Sequence, residues 1–318
     1  MNTRTRLYTL ILVALALAAV LVHSLTRSSS SSRILIVTPT HDQLTRYPNF
    51  LYLAHALAHS PSSSRILWLV IEDGPTLDPS ISSLLSSLPI AHRYWPVQTP
   101  SSFEAPHRGL VQRNAALDYI DASGIQGVVY FADDDNAYRP ELLNYLSKVP
   151  RDGYTVFPVG NTGYMGFEGP VFRPTDEEGV VEIEQWCCDF CRRRWNVDMA
   201  GLAFHSSLLR PPSSSTEDWD QPRFDPASEE GFLETDLLTS LELHPSSKLY
   251  TFPPLNDRIH VWHNYGRPFH RAGYYDADWE TKSALERKLV DGEEDVARGF
   301  RWAAEEGLPR AKVVKGRQ

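Results

Sequence analysis

The sequence predicts an α/β fold, a mixed and mostly parallel sheet with helices on both faces, and three observations carry that reading. Ile34-Leu35-Ile36-Val37, Ile66-Leu67-Trp68-Leu69-Val70-Ile71 and Val128-Val129-Tyr130-Phe131 are apolar without alternation, as strands buried on both sides must be. Stretches of helical spacing separate them, so successive strands are joined by crossovers rather than hairpins. Two of the runs also surface abruptly into acid, at Glu72-Asp73-Gly74 and at Asp133-Asp134-Asp135. In open α/β sheets ligands gather outside the carboxyl ends of the strands. Hard oxygen donors there suit Mg²⁺ or Mn²⁺ better than zinc, and a divalent ion would offset three adjacent like charges and could carry a nucleotide's phosphates. The plainer reading is a solvated acidic turn, with Asp135 or Asn136 capping the next helix.

At 318 residues the chain can bury one large core or two smaller ones. Its net charge of -9 argues against a nucleic-acid binder, which needs clustered Lys and Arg, but leaves room for a nucleotide-sized ligand. Cys187, Cys188 and Cys191 lie in one short segment and cannot form a disulfide framework. They read as partly buried thiols or as a local redox pair with a spare. A zinc site would need a fourth ligand from elsewhere.

Taken in order, residues 1–6 carry two arginines and form a short cytosolic tail. Leu7 to Val22 has no charge, Pro or Gly, and the span 7–25 is expected to be an uncleaved signal anchor. A cleaved signal peptide is the rival, although His23-Ser24-Leu25-Thr26-Arg27 offers no small-x-small cleavage site. The rest would then be lumenal, beginning with a Ser-rich stem over 26–33. A globular domain is expected over 34–270 and a charged extension, without a functional reading, over 271–318.

The first strand ends at Thr38-Pro39-Thr40-His41. A helix follows, with Phe50, Leu51, Leu53, Ala54, Leu57 and Ala58 on its apolar face. After the second strand come a short helix over 80–87, a strand over 91–97, and a helix from His107 to Ile120. Arg108 and Arg113 flank the first turn of that helix. Cations at a helix N-terminus oppose the macrodipole, which points to an anionic partner unless they are plain surface arginines. Beyond the acid triplet we expect a helix over 139–148, a strand over 155–159, and a Gly-rich loop over 160–169 that matches neither a P-loop nor a Rossmann fingerprint. An apolar strand is expected within 196–204, an exposed loop over 211–226, and an amphipathic helix over 229–241. Glu234 sits beside that helix's stripe of Leu233, Leu237, Leu238 and Leu241. It is either a solvated face residue or a general base whose pKa partial burial raises. A last strand, Ile259 to His263, presents His263 at its end, either as a packing residue or as a companion of the acids.

Collected in order, these segments resemble glycosyltransferase family 43, the inverting glucuronosyltransferases of proteoglycan and glycoprotein synthesis and their plant xylan-synthesis relatives. The resemblance runs from Ile34 to His263. It is carried by Thr38-Pro39-Thr40, Leu69-Val70-Ile71-Glu72-Asp73, Arg108-Gly109 with Gln112-Arg113-Asn114, Gly127 to Asn136, Phe167-Glu168-Gly169-Pro170, Val197-Asp198-Met199-Ala200-Gly201 and Val261-Trp262-His263. It implies a GT-A fold in which nucleotide-sugar and acceptor halves share one sheet. It also implies a UDP-sugar donor, a glycoprotein, proteoglycan or oligosaccharide acceptor, Mn²⁺, a Golgi membrane location, and the homodimers common in the family. Pro39, Thr40 and His41 would line the nucleotide pocket, with Asp73 at the base. Arg108 and Arg113 would contact the nucleotide, and Asp133 and Asp134 the uridine and ribose. Asp135 would hold Mn²⁺ bridging the diphosphate, with His263 also on the diphosphate. Glu168, Arg193 and Asp198 would meet the acceptor sugar, and Glu234 would be the catalytic base. The chain departs from the animal members at His41, where they have tyrosine. It departs again at Tyr265, where they have an arginine that helps hold donor phosphate and sugar; the nearest cation here is Arg267. The expected reaction is therefore β-1,3 transfer of glucuronate from UDP-glucuronate to a terminal galactose. UDP-xylose transfer to xylan and a non-catalytic role in a glycan-synthesis complex are the alternatives.

Overall fold

The computed structural model describes residues 32–103, 109–160, 166–174, 180–187, 193–211, 220–252, 255, 258–263 and 310–312. The first apolar run forms β1 (Ile34–Thr40), which pairs in parallel with β2 (Ile66–Glu72) along its whole length, from Ile34↔Ile66 to Thr40↔Glu72. On its other side β1 pairs in parallel with β4 (Val128–Phe131), and β2 pairs in parallel with β3 (Ala91–Pro96). The far half of the sheet changes sense. There β11 (Leu202–His205) runs antiparallel to both β4 and β6 (Gly153–Val156), and β12 (Lys248–Leu249) returns parallel to β6. The order is β12-β6-β11-β4-β1-β2-β3, a mixed and mostly parallel seven-stranded sheet.

Because successive strand residues point to opposite faces, each apolar run feeds two cores. Leu35, Val37, Leu69, Ile71, Val129 and Phe131 pack against α3 (Leu110–Ser123) and α5 (Leu233–Glu242). Ile34, Ile36, Trp68, Val70, Val128 and Tyr130 pack against α1 (Arg46–Ala58), α2 (Pro79–Ser87) and α4 (Leu142–Leu146). Removing one of these leucines to alanine would cost about 2–5 kcal/mol.

A second, four-stranded sheet controls the geometry at the strand ends. Its order is β5 (Asn136–Tyr138), β13 (Val261–His263), β7 (Val159–Gly160), β8 (Phe167–Glu168). In it His263 pairs with Asn136, Trp262 with Gly160, and Val159 with Glu168. A hairpin of β9 (Pro170–Pro174) and β10 (Val180–Trp186), with β14 (Arg310–Lys312) beside β10, adds Phe172, Val181 and Ile183 to the first core.

Several expected boundaries shift for local reasons. Asn136 opens β5 and α4 begins only at Leu142, so neither Asp135 nor Asn136 caps a helix. The strand expected over 155–159 is broken between β6 and β7 at Phe157-Pro158, where proline cannot donate to a ladder and the chain passes from one sheet to the other. The expected 196–204 strand starts at Leu202, because Asp198 caps a 3₁₀ turn over Met199–Gly201. The helix expected from 229 begins at Leu233, after Gly231 turns the backbone at φ +81°. The hairpin over 170–186 has no counterpart in the sequence expectations. The expected anchor, 7–25, lies outside the described residues, and among the described residues no helix is long and apolar enough to cross a membrane.

Candidate active site

The acid triplet occupies the turn between β4 and β5, and its three carboxylates part ways. The Tyr138 hydroxyl donates to the Asp133 carbonyl at 2.9 Å, holding the turn. The Asp133 side chain pairs with Arg113, in the first turn of α3. Asp134 turns inward and accepts from the Thr40 hydroxyl at 2.6 Å. Asp135 has no hydrogen-bonded side-chain partner among the described residues. Burial pushes the Asp134 carboxyl up to about 7, against the Thr40 hydrogen bond and with the repulsion of Asp135 and Asp133. Burial and Asp133 likewise raise Asp135, which the charge of His263 partly relieves. Burial and mutual repulsion thus disfavour the charged forms of Asp134 and Asp135 among the described residues.

Facing the triplet is a chain of ionic contacts. His263 Nδ1 lies 3.4 Å from Asp198 Oδ2, while Asp198 Oδ1 accepts from the Ala200 amide at 2.9 Å. Burial works against the imidazolium of His263, but Asp198, Asp135 and Asp133 outweigh it and the pKa ends above the ordinary value. Arg193 pairs with Glu168 and donates to the Gly231 carbonyl at 2.9 Å, so β8 is tied to the loop entering α5. Burial raises the Glu168 carboxyl, with Arg193 opposing and Asp198 reinforcing the shift.

Glu234 lies in the first turn of α5, whose start is clamped by its neighbour. The Thr235 hydroxyl accepts from the Trp195 amide at 3.1 Å and donates to the Trp195 carbonyl at 2.7 Å. Burial, then the charges of Asp198 and Glu168, push the Glu234 carboxyl up to about 8, with Arg113 pulling the other way. It is the group that feels both the arginine on α3 and the acids on the far wall.

The remaining expected residues sit at the neighbouring strand ends. Pro39 packs under Gly109, where φ is +73° and an added Cβ would stand 3.1 Å from the proline and 2.8 Å from Arg113 Nη1. Only glycine opens α3 this way while leaving the arginine in place. His41 follows Thr40 and is partly exposed. Asp73 is sewn to β1 by its amide, 2.7 Å from the Thr40 carbonyl, and both its carboxylate oxygens accept from Thr99, at 2.8 Å each. Arg108, Tyr265 and Arg267 lie outside the described residues, as do Cys188 and Cys191. Cys187 is buried, and its Sγ lies 2.8 Å from the Phe167 carbonyl.

Sequence reasoning missed the roles of five supporting residues. Glu72, which looked like a second surfacing acid, is buried and paired with Arg46 and Tyr94. Arg46 had a signal, since it lies on the same helical face as Phe50, Leu53 and Leu57. Gln112 stood in a quoted motif without a role, whereas Thr99 and Thr235 carried no local signal.

Among the described residues no three His, Cys, Asp or Glu side chains converge as a protein-only metal site. The donor set, with three acids crowded into one turn and Asp135 without a hydrogen-bonded side-chain partner among the described residues, suits a divalent ion that takes most of its oxygens from a ligand and water. A carboxyl with raised proton affinity, such as that of Glu234, can take a proton from a hydroxyl brought within reach.

A model of glycosyltransferase family 43 matches residues 53–266. Over 250 residues the chain is 31% identical to galactosylgalactosylxylosylprotein 3-beta-glucuronosyltransferase sqv-8 of Caenorhabditis elegans, covering 74% of this chain and 64% of that protein. It is 32% identical over 255 residues to galactosylgalactosylxylosylprotein 3-beta-glucuronosyltransferase 3 of Homo sapiens, covering 72% and 69%. Among solved structures, S. aureus TarS aligns at a TM-score of 0.47 and 14% identity, over 73% of this chain and 36% of that one, too slight a likeness to carry an argument.

Proposed function

The chain belongs to glycosyltransferase family 43, and from that premise we propose that it transfers glucuronate from UDP-glucuronate to a terminal galactose, forming a β-1,3 linkage with inversion. The observation that carries the reading is Glu234, held protonatable up to about 8 between the Arg113 side and the Glu168–Asp198 side of one site. On this reading the frame is of GT-A type. Pro39, Thr40, His41 and Asp73 line the uridine pocket, with Arg108, Arg113, Asp133 and Asp134 around the nucleotide. Asp135 would hold Mn²⁺, whose charge neutralises the departing diphosphate, and His263 lends a second positive charge there. Glu168, Arg193 and Asp198 orient the acceptor sugar. Glu234 takes the proton from the acceptor hydroxyl as that oxygen bonds the anomeric carbon and the diphosphate leaves from the opposite face. One displacement of an α-linked donor gives a β-linked product.

A second donor is favoured by one sequence observation. Tyr265 stands where the resemblance to the animal members implies an arginine that helps hold donor phosphate and sugar, and this keeps UDP-xylose on a xylan chain as the alternative. A donor screen with the purified protein, scored by UDP released in the presence of Mn²⁺ and galactose- or xylose-terminated acceptors, separates the two. Turnover of UDP-glucuronate on galactose supports the first reading, and turnover of UDP-xylose alone replaces it. No turnover, together with no UDP binding, would leave a non-catalytic partner. The same proposal makes residues 7–25 the anchor of a type II Golgi membrane protein. Protease protection of the domain in sealed microsomes tests this.

A further inference from the structure

Behind Asp73 lies a hydrogen-bond chain with a fixed direction. Gln112, on α3, is fully buried, and its Nε2 donates to the Val97 carbonyl at 2.8 Å and to the Thr99 hydroxyl at 3.1 Å. A carbonyl only accepts, so the amide nitrogen, not the oxygen, must face Val97. Gln112 Oε1 is left buried without a hydrogen-bond partner among the described residues, so the orientation of the amide is fixed by its donor side alone. While its oxygen accepts from Gln112, the Thr99 hydroxyl donates to Asp73 Oδ2, 2.8 Å away, and the Thr99 amide donates to Asp73 Oδ1. Asp73 therefore receives two donors from one side and shows only acceptor lone pairs on the other.

We propose that Gln112 and Thr99 are positioning residues which fix the orientation of the Asp73 carboxylate, so that its free lone pairs face the base, and thereby set the choice of uracil over cytosine. This rests on the reading that Asp73 lies at the base. Uracil carries a hydrogen on N3 and can donate to the carboxylate; cytosine presents a bare N3 lone pair there and is repelled. A site built to receive a donor rejects the analogue lacking it, because its own buried polar group is then left unpaired.

The test is calorimetric titration of the full-length protein, with Mn²⁺, by UDP and by CDP. The wild type should bind UDP at least about tenfold more tightly than CDP. Thr99→Val removes both the acceptor for Gln112 and the donor to Asp73, and should bring the two nucleotides within about threefold by weakening UDP. Thr99→Ser keeps both bonds and should restore the preference. Gln112→Glu cannot donate, so the Thr99 proton turns away from Asp73, and the loss should match that of Thr99→Val. Where Gln112→Glu does not fold, the Val and Ser pair at position 99 decides. With UDP-sugar as substrate, Thr99→Val should raise KM and leave kcat, the signature of lost binding shared by ground and transition states. A Thr99→Val protein that keeps the wild-type ratio of UDP to CDP overturns the relay and leaves the proposed function standing. A wild type that binds neither nucleotide overturns both.

Discussion

At the scale of single residues the site works by mismatched proton affinities. Arg113 and Thr40 engage two of the three acids, and Glu234 is kept far above the ordinary glutamate value by burial and by Asp198 and Glu168. Between its ordinary 4.5 and about 8, the folded protein holds a proton on Glu234 that the unfolded chain has released. Stability therefore falls as pH rises through that window. Glu234→Gln removes this dependence. It should melt higher than the wild type at pH 8 and equally at about pH 4, by calorimetry, while transfer drops by about 10²–10⁴-fold and UDP binding is spared. Full activity in that variant would remove the proposed base. In the wild type, kcat/KM should climb with pH until about 8, because the free enzyme's base must first lose its proton. A profile flat from pH 6 to pH 9 would contradict it. The raised value was not legible in the sequence beyond the position of Glu234 next to Leu233 and Leu237, since it comes from burial in the folded chain and then from charges 36 and 66 residues away in the chain.

At the scale of elements, two helices deliver the chemistry and each depends on how it begins. Helix α3 opens on Gly109 in the left-handed region, with Pro39 and Arg113 filling the space a side chain would need. Gly109→Ala should cost about 1–2 kcal/mol in backbone strain. It should also loosen Arg113 from Asp133, so UDP affinity falls by more than the stability loss explains; unchanged affinity by titration would refute that link. Helix α5 is fixed by the double bond between Thr235 and the Trp195 backbone. Thr235→Val leaves both backbone groups unpaired, at about 1–3 kcal/mol, and Thr235→Ser should recover it. Because the clamp places Glu234, kcat should fall in the valine variant while UDP binding holds. The helix faces themselves were legible, since a 3.6-residue period needs only near neighbours. Their starts were less so, because Gly109 and Gly231 act through backbone geometry that composition records weakly.

At the scale of the molecule, the site stands where two sheets meet. The large sheet supplies Thr40, Asp73 and Asp133 to Asp135 at its strand ends, and the small sheet supplies Glu168 and His263. On the proposed reading, the acids crowded on this seam would make divalent ion and nucleotide binding interdependent. UDP with Mn²⁺ should raise the melting temperature by several degrees, as saturation to about 100 times Kd contributes roughly 2.7 kcal/mol. UDP in excess chelator should raise it little, and an equal shift in both would disprove the coupling. The sequence by itself determined the parallel half of the sheet, the two-sided cores, the acids at the end of β4 and the glutamate on an amphipathic helix. Each follows from residues adjacent in the chain. Only the tertiary structure decided that Glu72 is a buried partner of Arg46, that the small sheet sets His263 opposite Asn136, and that Asp198, Glu168 and Arg113 bear on Glu234. Those are pairings of polar groups tens to more than a hundred residues apart, fixed by loop closure and packing, and no local period records them.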